Sequence, residues 1–144
     1  MKPCRNFTRG LALWILIFSG CATANPQSQI LALDASQIKL RSIQTRAFDT
    51  ADKEKVLRAV IATMQDLDFV LEKADEKLGT VTGMKFRDNV TIRMTVTVRT
   101  RNEKQMLVRA NAQYGLKAVE DPIPYQNFFA ALEKSMFLAA QQVD

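Results

Sequence analysis

Three arginines, Arg93, Arg99 and Arg109, stand on two alternating segments among Thr95, Thr97, Asn111 and Gln113, and neither segment carries an acid. A guanidinium is a planar fork that matches carboxylate and phosphate, and amide side chains both donate and accept. The set Arg93, Arg99, Arg109, Asn111 and Gln113 is therefore predicted to form a docking face for an anionic or polar partner; the plain alternative is a solvated sheet face. Other chemistry is thinly provided for. The chain has no histidine, which removes the commonest general base and metal ligand. Ser42 and Ser135 could act as nucleophiles only beside a lysine base. Ser135 falls in a helical pattern next to apolar positions, where packing explains it. The close acid pairs Asp66/Asp68, Asp75/Glu76 and Glu120/Asp121 all fall at expected helix ends or turns, where acids cap and meet the helix dipole. No cysteine cluster, no glycine-rich phosphate loop and no spaced acidic loop appears. Neither enzyme activity nor a cofactor nor a metal is expected.

The cysteines carry more information. Cys4 and Cys21 are the only two, and they flank the apolar stretch GLALWILIFSGC. Lys2, Arg5 and Arg9 precede that stretch. A basic start, a short apolar core and small residues at its end make a secretory signal. The run Leu11–Phe18 is far shorter than the ~20 residues that span a bilayer as a helix, so a permanent transmembrane anchor is disfavoured. Two cleavage readings remain. Phe18-Ser19-Gly20-Cys21 resembles the bacterial lipobox, with Phe18 where Leu is usual; this implies lipidation of Cys21 after cleavage. Ala22-Thr23-Ala24 is an ordinary A-x-A site that would release a soluble periplasmic chain from Asn25. By resemblance to lipoproteins, Ala22 after the cysteine, rather than Asp, implies the periplasmic face of the outer membrane.

Removing residues 1–20 leaves one domain's worth of chain from a total of 144 residues and lowers the formal charge from +5 to +2. That is too little to argue for nucleic acid, and the arginine face lacks aromatic side chains for base stacking. The expected organisation is a signal peptide over 1–20, a lipidated N-terminus and tether over 21–37, and a single domain over 38–144. Within the tether, Ile30–Leu33 is an apolar patch that could dock on the domain or bind a partner.

The elements that must position the arginines follow from periodicity. Ile38–Phe48 is read as a first strand with a phase slip at Arg41-Ser42. Ile43 and Ala47 are expected inward, and Ser42, Gln44 and Arg46 outward as an extension of the polar face. From Asp49, an apolar stripe at Val56, Leu57, Val60, Ile61, Met64 and Leu67 predicts a helix. Phe69–Ala74 and Gly79–Arg87 are strands, joined to the next by a turn at Asp88-Asn89. Val90–Thr100 and the segment from Gln105 to Tyr114 alternate cleanly, with Val90, Ile92, Met94, Val96, Val98, Met106, Val108, Ala110, Ala112 and Tyr114 on the dry face. Pro122 announces a last helix with Tyr125, Phe128, Phe129, Leu132, Met136 and Ala139 in one stripe.

The fold class is thus α+β: a two-layer sandwich, mainly an antiparallel sheet of about five strands with two helices on one face, in the order β-α-β-β-β-β-α. That order resembles the helix-grip arrangement of lipoprotein subunits in the outer-membrane β-barrel assembly machine. Through FDTADKEKVLRAVIATMQDLDFVLEKAD and VEDPIPYQNFFAALEKSMFLAAQQVD, the chain also resembles small uncharacterised proteobacterial lipoproteins. The resemblance implies compartment and class and carries no known activity. The expected function is a membrane-anchored, non-catalytic accessory subunit of a cell-envelope assembly. Its partner would be an envelope protein, lipopolysaccharide headgroups or peptidoglycan, met by the sheet face or by strand addition at an edge. The alternative is a carrier holding an apolar ligand or lipid among Phe69, Met94, Met106, Phe128, Phe129 and Met136.

Overall fold

The structure, a computed structural model, describes residues 36–87 and 89–141. The leader, Cys21 and the tether up to residue 35 lie outside the described residues. The elements run α1 (36–43), β1 (Thr45–Phe48), α2 (Lys53–Asp66), β2 (Val70–Asp75), β3 (Thr80–Arg87), β4 (Val90–Asn102), β5 (Gln105–Tyr114), β6 (Lys117–Ala118) and α3 (Pro122–Gln141). The strands form one antiparallel sheet in the order β1-β5-β4-β3-β2, with β6 pairing on β5 beyond the end of β1.

The β4–β5 hairpin is the spine, and from Met94 to Ala112 its alternation reproduces the sequence pattern, whereas Tyr114, expected on the dry face, is exposed. Met94, Val96, Val98, Met106, Val108, Ala110 and Ala112 are buried on one face. Helices α2 and α3 cover that face with Val56, Leu57, Val60 and Met64 from the first and Tyr125, Phe128, Phe129 and Leu132 from the second. Such stripes form because residues three and four apart share a helix face. The residues proposed to hold an apolar ligand belong to this packing: Phe69, Met94, Met106, Phe128 and Phe129 are buried in one cluster, and Met136 packs against it.

Local chemistry explains the ends. Asp52 caps α2 by accepting from the Lys55 N–H at 2.9 Å, satisfying one of the free donors of the first turn. Asn89 turns β3 into β4 at a φ of 64°, a left-handed value that Asn tolerates better than most residues. Gly79 is required by its surroundings. Its φ is +69°, and a Cβ there would stand 2.4 Å from the Val98 carbonyl oxygen.

The first expected strand is corrected. Residues 36–43 are helical, and only Thr45–Phe48 pair with β5. The phase slip was the mark of this change. Leu40 and Ile43 are three apart and share a helix face, which a strand cannot arrange. The orientations change with it. Ser42 lies in α1, where its hydroxyl donates to the Lys39 carbonyl at 2.7 Å. Gln44 is buried at 4% exposure, while Ala47, opposite Leu107, is exposed. Arg46, opposite Val108, lies on the helix side of the sheet; its guanidinium sits 5.4 Å from the Phe129 ring centroid and 3.8 Å from Glu133. None of Ser42, Gln44 and Arg46 extends the polar sheet face in the manner expected. The connection after Tyr114 also contains the two-residue strand β6, too short to leave a periodic signal.

Candidate functional site

Strand β5 is longer than either partner on its outer side. β1 pairs with Met106–Arg109 and β6 with Gln113–Tyr114, so Ala110–Ala112 face a gap between two short strands. Buried backbone groups in a gap must find other partners. The Ala110 N–H donates to the Gln44 carbonyl at 2.9 Å, and the Val119 N–H donates to the Ala112 carbonyl at 2.9 Å. The Ala112 N–H donates to the Tyr125 hydroxyl at 3.3 Å. That hydroxyl also accepts from Gln44 Nε2 at 3.1 Å and donates to the Val119 carbonyl at 2.7 Å. One buried tyrosine thus ties α3, β5, the chain just after β6 and the junction of α1 with β1.

This junction sends α1 across the polar side of the sheet. Ser36, Lys39, Leu40 and Ile43 recur at helical spacing, and all four line one groove because they share a face. The groove is about 860 Å³ in volume, within the usual range for ligand pockets. Its sheet wall includes Arg93, Thr95, Arg109, Asn111 and Gln113, and its end is formed by Ala118, Glu120 and Pro122. Four of the five predicted site residues, Arg93, Arg109, Asn111 and Gln113, are therefore gathered in one concavity. Arg99 is exposed on the same sheet face opposite Leu107, outside the groove lining.

The arginines are not equivalent. Arg93 is paired by Glu72 of β2, with Nε to Oε2 at 3.1 Å and Nη2 to Oε1 at 3.4 Å. The bulge between Leu71 and Lys73 falls at Glu72, and bulges commonly redirect a side chain. No acid on β4 or β5 announced this pairing, since the partner comes from two strands away. Arg109 is different. Its Nε is buried and unpartnered, and no hydrogen bond or ion pair holds its head among the described residues. The Lys39 ammonium across the groove also lacks an ion pair among the described residues. With Arg93 offset by Glu72, the lining carries Lys39 and Arg109 against Glu120, a modest net positive charge. Lys39 and Glu72 were not singled out from sequence, Gln44 was expected outward on the polar face, and Glu120 was read only as an acid at a turn. Their roles depend on α1 lying over the sheet and on the β2 bulge.

The remaining candidates for chemistry are dispersed. Asp68 pairs with Lys85 at 3.3 Å, Asp75 accepts from the Leu78 N–H at 2.9 Å and Asp121 accepts from the Ile123 N–H at 2.9 Å. Ser135 shares a surface groove between α2 and α3 with Lys55 and Lys134, but no hydrogen bond joins it to either. Among the described residues, no group of three or more acids and cysteines is placed to hold a metal. No described helix is long and apolar enough to cross a membrane. The outer edge strand β2 is bulged and carries Glu72, Lys73 and Asp75, features that discourage indiscriminate strand pairing.

No protein-family model matches the chain, and no curated protein is detectably similar to it.

Proposed function

We propose that the chain is a periplasmic lipoprotein, acylated at Cys21 and anchored to the outer membrane, that serves as a non-catalytic accessory subunit of a cell-envelope assembly. The observation that supports this reading best is the groove under α1, which brings Arg93, Arg109, Asn111 and Gln113 together beside Lys39. The mechanism is positional. Lipid on Cys21 holds the chain at the membrane, the tether gives reach, and the groove presents unpaired donors to a partner. Several acyl chains, at about 0.8 kcal/mol per buried methylene, give a stable anchor. The groove is open surface, whereas a carrier would have to part the side chains of the packed core.

The test is native mass spectrometry of the full chain extracted from membranes in mild detergent. A stable protein complex is expected for the wild type, and its loss is expected for Arg109→Glu combined with Lys39→Glu. A complex indifferent to these charges would remove the groove from the account. An apolar molecule co-purifying with the chain, and no protein complex, would favour the carrier.

A further inference from the structure

Resting on the docking reading, we infer that the groove takes an extended peptide segment carrying one carboxylate between two apolar residues, with the carboxylate on Arg109. The charge count sets the single acid. Arg93 is already matched by Glu72, so the groove offers Lys39 and Arg109 against Glu120. Arg109 is the group in need of a partner. A buried donor with no acceptor is costly, the more so when it is charged, and Arg109 Nε is such a donor. An incoming carboxylate that draws the fork up into the groove relieves that cost and gains a charge-assisted pair.

The two walls set the flanking residues. The sheet wall is polar, with Thr95, Arg109, Asn111 and Gln113, while α1 lines the other side with the apolar Leu40 and Ile43 beside Ser36, Gln37 and Lys39. An extended peptide alternates its side chains between two faces. One that turns an acid toward the sheet therefore turns both neighbours toward Leu40 and Ile43. Asn111 and Gln113 sit two residues apart on β5, and their amides can both donate to and accept from a peptide backbone. A phosphate ion would use the arginine and the amide N–H donors but would gain nothing from Leu40 and Ile43.

The test uses the full-length chain in detergent and the blocked peptide acetyl-Ala-Leu-Glu-Leu-Ala-amide, followed by the NMR resonances of Arg109 Nε–H and of the Asn111 and Gln113 amides. Saturable shifts at all three are expected. The loss of affinity should be about tenfold or more when Gln replaces Glu in the peptide or when Arg109→Gln is introduced. Arg109→Lys, which keeps the charge and loses the fork, should fall between, and Arg99→Gln should bind as wild type. The inference is overturned if the Gln peptide binds equally, if Arg109→Gln binds unchanged, or if sodium phosphate alone saturates the same resonances as tightly. Complex formation read in parallel on the same preparations separates the two levels. A charge-dependent complex with no peptide binding defeats this inference and leaves the docking reading standing. Loss of both defeats the docking reading as well.

Discussion

Replacing Tyr125 by Phe removes one oxygen from the seam that seats α1. Three bonds go with it: from Gln44 Nε2, from the Ala112 N–H, and to the Val119 carbonyl. Gln44 is 4% exposed and Ala112 is 2% exposed, so water cannot readily replace the lost acceptor. A buried donor left unsatisfied costs about 1–3 kcal/mol. Two donors at the lower end of that range, with a smaller share for the half-buried carbonyl, give about 3 kcal/mol. For a domain of this size that is roughly a 10 °C fall in Tm, read by far-ultraviolet circular dichroism. A second substitution isolates the cause. Gln44→Leu in the Tyr125→Phe background removes one orphaned donor and should cost much less than Gln44→Leu alone, with a coupling of about 1 kcal/mol or more. A Tyr125→Phe protein that melts within ~2 °C of wild type, or strictly additive losses, would refute the claim that this hydroxyl fastens the seam.

Gly79→Ala should destabilise the domain by about 2 kcal/mol or more in urea unfolding, since Ala is strained at positive φ and its Cβ would meet the Val98 carbonyl. Thr63→Val should raise stability by about 1 kcal/mol, because the Thr63 hydroxyl is buried without a partner and the substitution keeps the shape. Cys21→Ala should abolish labelling by radioactive palmitate and move the chain from the membrane fraction to the soluble periplasm. Unchanged fractionation would remove acylation from the account.

The sandwich was legible because strand alternation and helix stripes are local signals. Val90 to Thr100 alternates without a break, and Tyr125, Phe128, Phe129 and Leu132 fall on one face of α3 and are buried there. Helix α1 was illegible because Ile38 and Leu40 mimic strand alternation. In the structure Ile38 is 67% exposed while Leu40 and Ile43 line the groove. The polar face was read from β4 and β5 alone, which found Arg109, Asn111 and Gln113 but could not tell Arg93 from Arg109. That distinction depends on Glu72, redirected by a bulge on another strand. Gln44 gave no sign of burial, since its only warrant is a tyrosine hydroxyl 81 residues away.

The most direct measurement of the docking account is photocrosslinking in intact cells from one position inside the groove and one outside it. Gln113 lies in the groove, and Thr100 is exposed outside it. A discrete adduct from Gln113 that vanishes with Arg109→Glu, with none from Thr100, is the expected result. Equal adducts from both positions, or a Gln113 adduct that survives Arg109→Glu, would contradict the account.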